Sequence, residues 1–153
     1  ITTYVGQNLG AKKYRRIRNG VRSGVYMALI TSIVISGVMV ITGRNILSLF
    51  VSGEAGQVKQ VLDIAYKYLF IMAIFLWVLY LLYVYRSAIQ GLGNTLIPLA
   101  SGVVEFCMRV GVALLLPKLI GEDGIFYAEI SAWSGAAILL IVSYVVIIRK
   151  YKE

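Results

Sequence analysis

The chain has 153 residues, 59% hydrophobic and 14% charged, with 15 Lys and Arg against 7 Asp and Glu and no His. So apolar a composition, with strongly positive mean hydropathy, excludes an ordinary soluble domain and leaves room for roughly four bilayer spans of about 20 residues each. The net charge of +8 sets orientation and is no nucleic-acid footprint, because the cations cluster beside apolar segments.

The first 20 residues hold a basic run after a short polar stretch, unlike a signal peptide, and the chain opens at Ile1 in mid-pattern, as a fragment would. Four uncharged stretches follow: Ser23 to Gly43, Tyr68 to Tyr85, Ser87 to Val104 and Ile130 to Ile148. Each is long enough as a helix to cross the hydrocarbon layer. The expected fold is all-α and polytopic, with transmembrane helices at about 20–43, 56–86, 96–117 and 125–148.

The second helix is expected to begin outside the bilayer near Glu54, where Ser52-Gly-Glu54 precedes a helical stripe of Val58, Val61, Leu62 and Ala65. Between the second and third spans, Gly91-Leu-Gly-Asn-Thr95 reads as a tight turn too Gly-rich to continue a helix, with Asn or Thr as the next N-cap. With Pro98 it places the third helix start near Leu96, so that Glu105 and Arg109 lie in the membrane. Pro117 and Gly121-Glu-Asp-Gly124 make a second hairpin on the other side.

Lys12, Lys13, Arg15, Arg16, Arg18, Arg22, Arg86, Arg149, Lys150 and Lys152 fall on one side, and Arg44, Lys59, Lys67 and Lys118 on the other. That asymmetry makes both ends cytoplasmic, in a multi-pass protein of the inner (plasma) membrane.

Glu105 and Arg109 are four apart on one helix face and are expected to pair with each other. Charges at that depth face the bundle interior or a wet cavity. Glu105 is thus a candidate protonatable or cation-attracting group tuned by Arg109. A permanent packing ion pair is the favoured alternative, because the arginine disfavours proton uptake near neutral pH. Trp77 and Tyr80, followed by Tyr83, are candidates to line an organic-cation path, although Tyr83 and Tyr85 suit an interfacial belt. The basic run at Lys12 to Arg22 could attract anionic lipid, but its topological role already explains it. Glu129 suits a helix N-terminus, and Gly135, Ala136 and Ala137 suit close packing. Catalytic and metal motifs are lacking: there is no Cys/His cluster, no Ser-His-Asp set and no Gly-Lys-Ser/Thr phosphate loop.

Three segments, Gly6-Gln-Asn-Leu-Gly-Ala11, Tyr85-Arg-Ser-Ala-Ile-Gln-Gly-Leu-Gly-Asn-Thr95 and Gly124-Ile-Phe-Tyr-Ala-Glu-Ile-Ser-Ala-Trp133, occur in an order and spacing that resemble the C-terminal half of a multidrug and toxic compound extrusion (MATE) transporter. The resemblance runs from the end of the eighth helix through the twelfth. It implies two six-helix lobes, alternating access between them, and Na⁺- or H⁺-driven antiport of cationic, often aromatic solutes, with no other cofactor. The partners implied are small organic cations, the lipid bilayer and the missing N-terminal lobe of the same polypeptide. Gln7, Asn8, Gly91, Gly93 and Asn94 then serve as turn geometry at a cytoplasmic gate, not as ligands. The family's coupling acids on the seventh and tenth helices have no match here, since Tyr68 to Tyr85 carries no carboxylate. Two alternatives stay open: a lipid-linked precursor or polysaccharide flippase using Arg109 as its intramembrane cation, and a non-transporting membrane scaffold.

Overall fold

The computed structural model describes residues 1–53 and 55–151, without the side chains of Ala55 and Glu122. Glu54 and Lys152, expected as a helix-start signal and as a topological cation, lie outside the described residues. Six α-helices follow one another: α1 Thr2–Gly10, α2 Tyr14–Ser48, α3 Ala55–Gly91, α4 Leu96–Leu115, α5 Pro117–Ile120 and α6 Phe126–Lys150, with a 3₁₀ turn over Glu122–Ile125 before α6. Among the described residues there is no strand, and four helical segments are long and apolar enough to cross a bilayer. The chain is an all-α polytopic membrane protein.

Two of the helices are longer than their apolar stretches. α2 has 35 residues and α3 has 37, or about 52 and 55 Å at 1.5 Å per residue, well beyond the roughly 30 Å hydrocarbon layer. The basic run is absorbed into α2, whose first four turns carry Arg15, Arg16, Arg18 and Arg22. Water beyond the bilayer solvates these side chains, so they need not end the helix. The end of the bundle that carries them, with the α3–α4 turn and the close of α6, is called the basic end below.

α3 and α1 stop in the same way. The Asn94 N–H donates to the Ile89 carbonyl (3.2 Å) and the Gly93 N–H to that of Gln90 (3.0 Å), with Gly93 at φ +82°. This is a Schellman ending with glycine at its left-handed position. At the end of α1, Lys13 donates to Asn8 (2.8 Å) and Lys12 to Leu9 (3.0 Å), and Lys12 holds φ +55°. α4 then starts where the Asn94 Oδ1 accepts the Ile97 N–H at 3.0 Å, and Pro98 sits in the first turn, where its missing N–H costs no helical bond.

α2 packs on α3, α3 on α6 and α6 on α4, while α1 lies against α2 and α3. The central helix α6 buries Ala128, Ala132, Ala136, Leu140, Tyr144 and Ile148, one residue every four and therefore a single ridge along the helix. Alanines in its far half allow close approach, and an added Cβ at Gly135 would stand 3.2 Å from Met108 Cγ of α4. Toward the basic end the larger members join Val5, Ile17, Val21, Leu82, Ile89 and Leu92 in the main apolar core. Away from it, Ile30, Ile33, Val34 and Ile41 of α2 and Leu99, Val103, Phe106 and Leu114 of α4 are exposed. Faces this apolar suit lipid or further helices and would not be stable in water.

Candidate functional site

α4 carries the two intramembrane charges, and the structure corrects their pairing. Glu105 pairs with Arg86 of α3, and Arg109 pairs with Glu129 of α6 at 2.8 Å; no Glu105–Arg109 bridge forms. The i, i+4 spacing made that bond available within the helix. Each side chain instead reaches a full opposite charge on a neighbouring helix, which offsets the cost of a charge at that depth. Arg86 and Glu105 are 22% and 18% exposed. The same Arg86 Nη2 donates to Ser101 Oγ at 3.0 Å, Ser101 Oγ donates to the Pro98 carbonyl at 2.7 Å, and the guanidinium lies 5.9 Å from the Tyr83 ring centre. Arg86 is thus an interior residue of the bundle in addition to marking its basic side.

Toward the far end, Arg109 and Glu129 are more open, at 43% and 30% exposure. With Tyr68, Ala113, Ile125, Phe126 and Ala128 they border a cavity of about 390 Å³, and the Tyr68 and Phe126 rings lie 5.3 Å apart. Glu129 was expected to serve the α6 dipole; its partner on α4 is the role that a single-helix reading missed. Two more bridges, Arg44–Asp63 and Lys67–Asp123, both at 2.6 Å, join exposed side chains at that end. Among the described residues, all four acidic side chains, Asp63, Glu105, Asp123 and Glu129, are therefore paired with a cation. None is left to receive a solute cation without displacing Arg or Lys.

Of the aromatic candidates, Trp77 is exposed and Tyr80 is partly buried against the main core, so α3 does not turn them jointly toward one space. Neither borders the 390 Å³ cavity nor an apolar groove of about 420 Å³ between α2 and α3 lined by Ile35, Met39, Tyr68, Leu69 and Met72. Tyr85, expected at the interface, packs at a tilt on Tyr144 of α6 with centroids 5.4 Å apart.

The basic-end residues also divide. Gly93 and Asn94 form the turn, as described. Gly91 is still helical and serves a crossing: an added Cβ would stand 2.6 Å from the Thr2 carbonyl oxygen and 2.7 Å from Val5 Cβ. Close backbone approach of α1 to α3, pinned by Thr2 Oγ1 donating to the Ser87 carbonyl at 3.1 Å, requires glycine there. Gln7 and Asn8 lie within α1, where the Asn8 side chain donates to the Tyr4 carbonyl at 2.8 Å and the Gln7 carbonyl accepts the Ala11 N–H. Their backbones close the helix end, so they contribute to the turn from inside the helix.

The MatE family model matches residues 1–115, three quarters of the chain. The chain belongs to the MATE family. The match runs from α1 to the last residue of α4 and includes both Schellman endings and the Arg86–Glu105 pair; α6 and the third of the resembling segments lie beyond it. Comparison with curated proteins and with solved structures gives no significant match. MATE proteins are transporters and not enzymes, so the charged pairs of α4 belong to a solute-moving machine in a membrane.

Proposed function

We propose that the chain takes part in secondary active export of organic cations, by antiport against Na⁺ or H⁺ with alternating access. The family match over residues 1–115 carries this reading. The excess of Lys and Arg at the basic end supports cytoplasmic ends, and we assign the protein to the plasma (inner) membrane. The exposed apolar faces of α2 and α4 receive further helices of the same polypeptide, the N-terminal lobe among them, and the solute passes between the lobes.

The paired carboxylates refine the scheme. Each described carboxylate holds a cation partner, which favours its ionised form and disfavours proton uptake. Coupling is therefore assigned to acids on other helices, with α3, α4 and α6 as a wall whose ion pairs keep it rigid while it rocks. The Glu129 carboxylate neutralises Arg109 and Glu105 neutralises Arg86, so these pairs offer neither a free cation to phosphate-bearing cargo nor a free carboxylate to a cationic solute, and the family match alone supports the exporter. The test is accumulation of a fluorescent organic cation in cells with and without the complete polypeptide. Lower accumulation in expressing cells is expected, and equal accumulation would return the chain to the scaffold reading.

A further inference from the structure

A second cluster of charge, unrelated to the α4 pairs, lies at the basic end between α2, α3 and α6. Arg18, Arg22 and Tyr26 of α2 stand around a cavity of about 260 Å³ with Tyr85 of α3 and Tyr144 of α6, above Val21, Val25 and Ile148. The volume is below the roughly 300–1,000 Å³ of drug-sized sites, so it suits a small headgroup better than a transported aromatic solute. Among the described residues no carboxylate lines it. Neither arginine has an ion-pair partner among the described residues. Arg18 donates once to the Tyr151 carbonyl (2.6 Å) and Arg22 twice to the Tyr26 hydroxyl (3.3 and 3.1 Å). Each guanidinium has five N–H donors, so both keep donors to spare.

Tyr144 adds the observation that turns a basic patch into a site. It is 8% exposed, its ring packs at 59° against that of Tyr85, and it lines the cavity. Its phenol O–H is a donor available to an acceptor that enters the cavity. Depth also fits. At 1.5 Å per residue Arg18 and Arg22 lie about 6 and 12 Å into α2, and Tyr144 about 9 Å from the end of α6, the level of lipid headgroups where a long helix leaves the hydrocarbon.

We infer that this cavity binds the phosphate of an anionic phospholipid from the leaflet at the basic end, held by Arg18 and Arg22 with the Tyr144 hydroxyl as a fixed donor. Bound there, the lipid ties α2 to α6 across α3. The inference rests on the four-span membrane fold and not on the direction or cargo of export, so it stands or falls separately from the proposed function.

The complete polypeptide, purified and delipidated, is titrated with phosphatidylglycerol and with phosphatidylcholine and the bound lipid is counted by native mass spectrometry. Phosphatidylglycerol is expected to bind preferentially. Arg22→Gln should lower that affinity about fivefold, the weight of one nearby cation, and Tyr144→Phe about tenfold, the weight of one hydrogen bond to a charged group. The exposed pair Lys13→Gln/Arg15→Gln, outside the cavity, should leave it unchanged. Tyr144→Phe keeps the ring and its packing, so it decides the matter even where an arginine variant folds poorly. Equal binding of the two lipids, an unchanged affinity in Tyr144→Phe, or an equal loss in the Lys13/Arg15 variant would overturn the site. Displacement of the lipid by inorganic phosphate alone at comparable concentration would assign the site to free phosphate and overturn the lipid.

Discussion

Arg86 of α3 and Glu105 of α4 bridge two helices that otherwise touch little. α4 rests mainly on α6, and this pair, with the Arg86–Ser101 hydrogen bond, ties it to α3. With about a fifth of each side chain exposed, Glu105→Gln or Arg86→Gln alone should cost about 3 kcal/mol, the low end for stranding one charge of a buried pair. Replacing both, as Arg86→Gln/Glu105→Gln, should cost less than the sum of the two single changes. Thermal unfolding of the purified proteins provides the cycle. In cells Glu105→Gln should lower protein level and efflux in parallel; normal level with lost efflux would make Glu105 a coupling acid after all.

Gly91 and Gly6 face one another where α1 crosses α3, yet they should respond differently. A methyl at Gly91 meets Thr2 and Val5 below 3 Å, whereas one at Gly6 comes no nearer than 3.6 Å to the Gly91 carbonyl oxygen. Gly91→Ala should therefore cost about 1–3 kcal/mol through overpacking, and Gly6→Ala much less. Comparing their melting temperatures checks the crossing directly.

The two Schellman endings give opposite expectations. Gly93 stands in open space at φ +82°, so Gly93→Ala carries only the left-handed backbone cost of about 1 kcal/mol, while Lys12→Gly should remove a similar cost and stabilise the chain. Neither change should alter which solutes compete for export. A shift in solute selectivity on Gly93→Ala would show that the turn contacts cargo.

Orientation is testable with cysteines placed at each end in a Cys107→Ser background. Ser52→Cys should react with a membrane-impermeant maleimide added to intact cells, and Asn19→Cys should react only after the cells are opened. The reverse pattern would put the basic end outside.

What the sequence made legible was what is local. Apolar length located the four spans, and the glycine of a left-handed ending marked Gly93, because both follow from residues adjacent in the chain. Partners across helices were not legible. Spacing offered Glu105 only Arg109, whereas the third dimension offered Arg86, nineteen residues away, and gave Arg109 Glu129, twenty away. Gly91 was misread for the same reason: a glycine near a turn resembles turn chemistry until α1 is seen crossing it. Helix ends were underestimated because charge ends an apolar stretch but not a helix, as Arg15 to Arg22 in α2 demonstrate.

The most direct test of the central claim is made in proteoliposomes holding the purified complete polypeptide, loaded with a labelled organic cation and then given an inward Na⁺ or H⁺ gradient. Loss of the cation from the vesicles that accelerates with one of these gradients and stops when an ionophore collapses it is the predicted result. Loss that is indifferent to both gradients and equal to that of empty vesicles would contradict antiport and leave these helices without a transport role.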